Sequence, residues 1–224
     1  MQPLSAFADP SVAMAFVRDN TELVAPPLVP ELRLHLATEI TPLWQATEDV
    51  LASTGLPPPY WAFAWPGGQA MARLLLDRPD LVRGRRIVDF AAGCGLAALA
   101  AARSGAAGVL ASDIDPLAMM ALRLNAAANG LAVDTTTADL VGQALDGIDV
   151  VLAGDVCYEK PMAARVTGWL RVLAAAGKTV LLADPGRTYL PQGGLDPLAR
   201  FTVPTTLELE DRDRRDTVVW QVRP

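Results

Sequence analysis

Arg86-Ile87-Val88-Asp89-Phe90-Ala91-Ala92-Gly93-Cys94-Gly95 runs from an apolar strand through a tight glycine turn into the Ala-rich start of a helix. A second apolar run, Val109-Leu110-Ala111-Ser112, ends in Asp113 about twenty residues later. Strand, glycine turn, helix start and acidic strand end together form an arrangement that holds an adenosine. The turn lets backbone approach the ligand, and the acid accepts hydrogen bonds from ribose hydroxyls. No Lys follows the turn, which excludes a P-loop. Ala91 stands where a dinucleotide fingerprint has its first Gly, and its Cβ hinders the close approach that a pyrophosphate needs. A ligand without phosphates tolerates that Cβ better. S-adenosylmethionine, made of a sulfonium, an amino-acid tail and an adenosine, is such a ligand.

Outward from this stretch, strands and helices alternate. Strands are expected at 86–90, 108–113, 132–138, 148–153 and 178–183, with helices near 96–104, 116–128 and 160–175. Such alternation specifies a mostly parallel sheet covered on both faces. Two further strands, 201–209 and 216–222, flank the charged stretch around Asp211-Arg212-Asp213-Arg214-Arg215 and read as a hairpin. The fold class expected is α/β: a Rossmann-like, seven-stranded, mostly parallel sheet with a C-terminal antiparallel hairpin. Pro66-Gly67-Gly68 opens another helix through about Leu76. Residues 10–53 read as helical, broken at Pro26-Pro27, Pro30 and Pro42, with His35 as a helix residue. The division expected is an N-terminal helical extension over 1–55 and a catalytic domain over 56–224.

Composition narrows the partners. The 224 residues are 51% hydrophobic with mean hydropathy +0.26, enough for a sizeable core. No apolar run reaches the roughly 18 residues of a membrane span, so no membrane partner is expected. A formal charge of −6 argues against nucleic acid, which calls for a basic face. The two cysteines, Cys94 and Cys157, fall in apolar segments and read as reduced, packed thiols. No basic and hydrophobic leader is legible, and Asp9, Asp19 and Glu22 interrupt any transit-type pattern, so a cytoplasmic protein is expected. With one histidine and no Cys/His cluster, no metal is expected.

Several strand ends carry the chemistry. Asp115, ahead of Pro116, reads as a helix N-cap. Asp139 closes the third strand, where a carboxylate can accept from an adenine amino group or stand as a solvated loop acid. Asp155 and Tyr158 follow the fourth strand in Gly154-Asp155-Val156-Cys157-Tyr158. In open α/β sheets ligands sit beyond the carboxyl ends of strands, which puts this pair at the reacting end. Tyr60, Trp61, Phe63 and Trp65 fall within six positions of a proline-rich stretch. They could desolvate a cationic amine or simply anchor an irregular segment. Arg187, in Asp184-Pro185-Gly186-Arg187, can pair with an acid on a substrate or with Asp184.

The chain resembles the class I, seven-stranded S-adenosylmethionine-dependent methyltransferases. Within them it resembles the protein lysine methyltransferases marked by Asp-x-x-Tyr after strand four, most of all the family acting on the electron transfer flavoprotein β subunit. Pro58-Pro59-Tyr60-Trp61-Ala62, Trp65-Pro66-Gly67-Gly68-Gln69, Gly93-Cys94-Gly95, Asp113-Ile114-Asp115-Pro116, Gly154-Asp155 and Asp184-Pro185-Gly186-Arg187 carry the resemblance, over roughly 56–190. The family usually has Gly where Ala91 stands. The resemblance implies that Asp113 binds ribose, that the Gly93 turn holds the cofactor tail and that Trp65 lines the cofactor pocket. It also implies that Asp155 and Tyr158 border the target lysine. The expected cofactor-binding set is Trp65, Asp89, Ala91, Gly93, Gly95, Asp113, Ile114, Asp139 and Asp155. Asp155 and Tyr158 are the expected catalytic pair, and Tyr60, Trp61 and Arg187 are expected to meet a protein substrate. A ribosomal protein, or a small amine or pyridine such as nicotinamide, is the alternative acceptor. A cofactor-binding module without turnover is a third reading.

Overall fold

The computed structural model describes residues 7, 9–39, 41–45 and 58–224. A seven-stranded sheet forms its centre. In chain order its strands are β3 (Arg86–Phe90), β4 (Gly108–Ser112), β5 (Asp134–Thr136), β6 (Val150–Gly154), β7 (Thr179–Asp184), β8 (Leu195–Pro204) and β9 (Arg214–Val222). Across the sheet the order is β5-β4-β3-β6-β7-β9-β8. The first five strands pair parallel, and β9 and β8 pair antiparallel. The strand order reverses between β3 and β4 on one side and β6 on the other, so a crevice opens beyond the carboxyl ends of β3 and β6.

Helices α3 (Pro66–Asp77), α4 (Leu96–Arg103), α5 (Pro116–Asn129) and α6 (Lys160–Ala175) cover the two faces. The central strand β6 is apolar and buried from Val150 to Ala153, as a strand covered on both sides must be. Helix α5 begins as its sequence dictates: Asp115 Oδ1 accepts from Leu117 N at 2.8 Å, and Pro116 needs no N–H partner. Gly130, left-handed at φ +63°, ends it.

Two expectations are corrected. The segment read as broken helix holds α1 (Pro10–Asp19), then an antiparallel pair, β1 (Glu22–Val24) and β2 (Leu34–Leu36), and then the short α2 (Pro42–Gln45). Leu32, Leu34 and Leu36 are buried while Arg33 and His35 are not, which is a strand's period of two. Leu32 and Leu36 alone mimic helical i, i+4 spacing. His35 therefore lies on a strand. Residues 40 and 46–53 of that expectation lie outside the described residues. Ala13, Val17, Leu32, Leu34 and Leu36 belong to the same apolar core as α3, α4 and α5.

The second correction concerns the hairpin. Its first strand runs over 195–204 rather than 201–209, and α7 (Leu207–Glu210) occupies the connection. Pro197 and Pro204 discourage a strand reading. However, β8 is the sheet edge and its register shifts between Pro197 and Ala199, so a missing N–H is tolerated there. Thr206 caps α7 by accepting from Leu209 N, and Asp211, at φ +55°, ends it.

Two asparagines one turn apart on α5 fasten β2 to the domain. Asn129 Oδ1 accepts from Arg33 N at 3.0 Å, and Asn125 Oδ1 accepts from His35 N at 2.7 Å. Asn125 Nδ2 donates to Cys94 O at 2.9 Å, which ties the N-terminal hairpin to the glycine turn.

Candidate active site

A pocket of about 590 Å³ opens beyond the carboxyl ends of β3, β4 and β6. Its floor is the turn after β3. Ala91, Gly93 and Gly95 all have positive φ, at +54°, +50° and +78°. This brings the chain sharply from strand to helix and leaves backbone facing the cavity. Gly95 also packs against α5, because a Cβ there would lie 2.5 Å from the Leu122 side chain. Ala91 is the exception to turn chemistry. A left-handed conformation costs a residue with a Cβ about 1–2 kcal/mol, and such strain gathers at functional sites.

Three carboxylates surround this turn. Asp113 Oδ2 accepts from Gly93 N at 2.9 Å and its Oδ1 accepts from Asp115 N at 3.0 Å, so the acid fixes the turn while lining the pocket. Burial raises its pKa above the usual carboxylate value. Asp89 Oδ2 accepts from Ala98 N at 2.9 Å. Helix α4 has glycine at its own N-cap, so Asp89 caps it from the neighbouring strand. Burial, with the Asp113 charge adding, pushes Asp89 up to about 7. Asp115 completes the group as helix cap and lining residue.

Beyond β6 lies the fourth carboxylate. Asp155 has φ +56°, which swings its side chain back toward the first turn of α3. Its Oδ2 accepts from Gly68 N at 3.0 Å, while its buried Oδ1 has no hydrogen-bond partner. Burial first, and the nearby Asp184 charge, push its pKa up to about 7 against the pull of Arg187. Arg187 Nη2 stands 3.6 Å from Asp155 Oδ1 and 2.5 Å from Glu210 Oε1. Its guanidinium lies 5.9 Å from the Trp65 ring centre. Asp184 Oδ1 accepts from Gly186 N at 2.7 Å and Arg187 N at 2.6 Å, which shapes the loop that delivers this arginine.

The mouth is aromatic. Tyr60 lies 5.7 Å from Tyr158 and 6.0 Å from Trp65 between ring centres, and Trp65 lies 5.9 Å from Phe63. Trp65 Nε1 donates to Tyr60 O at 2.8 Å, which locks the rim. Tyr60 and Tyr158 are both exposed at this rim, whereas Trp61 is buried in the core below it. Burial raises the Tyr158 pKa above that of free tyrosine.

The pocket thus gathers Tyr60, Trp61, Trp65, Asp89, Ala91, Gly93, Asp113, Ile114, Asp155, Tyr158 and Arg187 from the sequence-based set. Gly95 shapes the turn from behind. Asp139 is not brought in. It is exposed, pairs with Arg165 and accepts from Val141 N, so its position at a strand end makes it a loop acid. Trp61 serves the floor rather than the rim. Arg187 faces inward to Glu210 and Asp155, not outward as a free cation. Glu210, Met162 and Leu209 were not anticipated. Glu210 sits in a charged stretch that reads as a solvated turn, and no local signal marks it. Cys94 and Cys157 are buried, and burial pushes both thiols up to about 12. Among the described residues no cluster of metal-ligating side chains occurs and no helix is long and apolar enough to cross a membrane.

A parallel sheet in this order, closed by an antiparallel pair and carrying a glycine turn with acids at the strand ends, defines a Rossmann-like methyltransferase. The crystal structure of ribosomal protein L11 methylase from Lactobacillus delbrueckii subsp. bulgaricus has this fold. It superposes with a TM-score of 0.53 at 19% identity, over 90% of this chain and 100% of that one. The family model of ribosomal protein L11 methyltransferase (PrmA) matches residues 71–156. Over the full length the likeness is more specific. The chain is 37% identical over 216 residues to the electron transfer flavoprotein beta subunit lysine methyltransferase of Xenopus laevis, covering 94% of this chain and 87% of that protein. With the protein of the same name from Homo sapiens it shares 35% identity over 226 residues, covering 98% and 85%. The chain belongs to the electron transfer flavoprotein beta subunit lysine methyltransferase family.

Proposed function

We propose that this enzyme transfers methyl groups from S-adenosylmethionine to lysine side chains of the electron transfer flavoprotein β subunit. The observation that carries the reaction type is the acidity of the pocket, where Asp89, Asp113, Asp115 and Asp155 stand against one arginine, Arg187; the full-length likeness to the family supports the acceptor. A polyphosphate would be repelled. A sulfonium with an ammonium-bearing tail, and a lysine ammonium beside it, are attracted. The cavity of about 590 Å³ lies in the usual range for a cofactor site.

The chain's own residues fit that cofactor. Asp113 keeps free lone pairs on both oxygens for the ribose hydroxyls, since each accepts one backbone N–H. The Gly93 turn would hold the amino-acid tail. Ile114, 74% exposed beside Asp113, offers an apolar surface to the base. When bound, the cofactor supplies a methyl group already activated on sulfur, so the protein's main task is alignment.

The acceptor amine must be neutral, yet free lysine titrates near about 10.4. Tyr60, Trp65 and Tyr158 would desolvate the ammonium at the mouth and lower that value. Asp155 Oδ1, buried and without a partner, would accept an N–H from the amine and turn its lone pair inward. Because Asp155 titrates near 7, it can also take the proton that the amine gives up.

The L11 match favours a different acceptor, a ribosomal protein. That match spans 71–156 and so centres on the cofactor half of the site. The aromatic mouth at 60–65, Tyr158 and Arg187 lie outside it. The test is intact-protein mass spectrometry of the flavoprotein, and separately of ribosomal proteins, after incubation with enzyme and S-adenosylmethionine. Methyl-sized increments on the β subunit are expected, with Asp155→Asn abolishing them while calorimetry still shows cofactor binding. An unmodified β subunit under saturating cofactor would rule out the acceptor.

A further inference from the structure

We infer that Glu210 is a positioning residue for methyl transfer: it holds the Arg187 guanidinium away from Asp155 Oδ1 and so keeps that oxygen open for the acceptor amine. This rests on the reading of Asp155 given above. Among the described residues, the two carboxylates that reach the Arg187 guanidinium are those of Glu210 and Asp155, and they compete for one nitrogen. Nη2 is in hydrogen-bond contact with Glu210 at 2.5 Å and out of it with Asp155 at 3.6 Å. The consequence is visible at Asp155, whose buried Oδ1 is left without a donor. A buried carboxylate oxygen beside an arginine would normally be bonded to it.

Glu210 is built to win that competition. Its side chain is 2% exposed. Arg215 on β9 grips it twice, through Nε to Oε2 at 3.0 Å and through Nη2 to the Glu210 carbonyl at 2.9 Å. Helix α7 presents it, capped by Thr206 and closed by Asp211. Trp65 borders the guanidinium at 5.9 Å, which limits its drift toward the mouth. The C-terminal hairpin thus sets the state of a residue that follows β6, two strands away across the sheet.

Removing the Glu210 charge should let Arg187 close on Asp155. Two effects then act on Asp155 in the same direction. The guanidinium comes nearer, and a like charge is lost. The groups that face Asp155 are Gly68 N–H from α3, Arg187 and Asp184 from the end of β7, Glu210 from α7, Cys157 after β6 and Cys94 in the turn after β3. With both cysteines protonated below about 12, the carboxylates and Arg187 decide the titration.

The test uses Glu210→Gln, and Glu210→Asp as the variant that keeps the charge and guards against failure to fold. In cofactor-free protein, the Asp155 carboxyl followed by carbon NMR should titrate at least one pH unit lower in Glu210→Gln than in wild type. In turnover, kcat at pH 7 should fall tenfold or more with KM for S-adenosylmethionine unchanged. The double variant Arg187→Gln/Glu210→Gln should recover much of that loss, because the blocking guanidinium is gone. A purely structural role would make the double variant worse than the single one. An unmoved Asp155 titration in Glu210→Gln, or a double variant no better than the single, overturns the inference. Absence of any methyl transfer by wild type would instead overturn the acceptor reading, and the cofactor-free titration would still decide the role of Glu210.

Discussion

Gly67 and Asp155 are packed so closely that a Cβ on the glycine would stand 2.5 Å from Asp155 Oδ2, and 2.7 Å from the Ala183 carbonyl oxygen. The first turn of α3 therefore rests on the end of β6, and only a residue without a side chain at position 67 lets the Gly68 N–H reach the carboxylate. Gly67→Ala is expected to destabilise the fold by about 1–3 kcal/mol, as overpacking does, and to displace Asp155 with loss of methyl transfer. Gly68 has nothing within 4 Å of its Cβ position. Gly68→Ala should leave the unfolding free energy from urea melts within about 1 kcal/mol of wild type. Equal midpoints for the two variants would contradict this packing.

Asp113 fixes the glycine turn, and in the proposed reading it also holds the ribose. Asp113→Ala removes an acceptor of charged hydrogen bonds worth about 1.5–3 kcal/mol. The S-adenosylmethionine dissociation constant should rise by roughly 10- to 100-fold in calorimetry. A change below about threefold would place the ribose elsewhere.

At position 91 the chain holds a strained alanine at φ +54°. Ala91→Gly relieves that strain and gives back part of the gain in unfolded-chain entropy. A net stabilisation of about 1 kcal/mol is expected, which raises the melting temperature by roughly 2–4 °C for a domain of this size. A fall in melting temperature would show that the strain is not where the backbone places it.

Asp89 gives the fold a pH dependence whose sign follows from its burial. Its pKa is raised from 3.8 to about 7 in the folded state. The folded protein then binds a proton that the unfolded chain releases between about pH 4 and about pH 7. Stability from this group is full below about pH 4 and is lost as pH rises through about 7. Asp89→Asn keeps an oxygen for Ala98 N–H and removes the charge. It should exceed wild type in stability at pH 8, on the order of a few kcal/mol, with the advantage vanishing near pH 4. Thermal melts across that range check it, and a constant difference at every pH would contradict the assignment.

Legibility differed from residue to residue for physical reasons. Asp115-Pro116 declared a helix start, and 86–90 and 160–175 declared their elements, because caps and hydrophobic periods act over a few residues. Asp155 and Asp113 could be assigned to one cleft because in a parallel sheet every strand end faces the same edge. The same rule puts Asp139 on that edge too, but the edge is longer than the pocket and Arg165 holds that acid outside it, as the alternative reading of a loop acid has it. Leu32 and Leu36 suggested a helix because their spacing suits both periods, and only pairing with β1 shows which period operates.

The amino-acid sequence alone determined the alternation of strands and helices, the tight glycine turn after β3 and the acids at the strand ends. These depend on side-chain period, proline and glycine geometry and capping, all of which act between near neighbours. Tertiary structure decided which charges meet. Glu210 and Arg187 come from the two sides of the β8 strand, and Gly68 and Asp155 are joined across the four strands β3 to β6 and the helices between them. Such contacts are set by how the sheet folds back on itself, and an ion pair or a close approach carries no local signature until that packing exists.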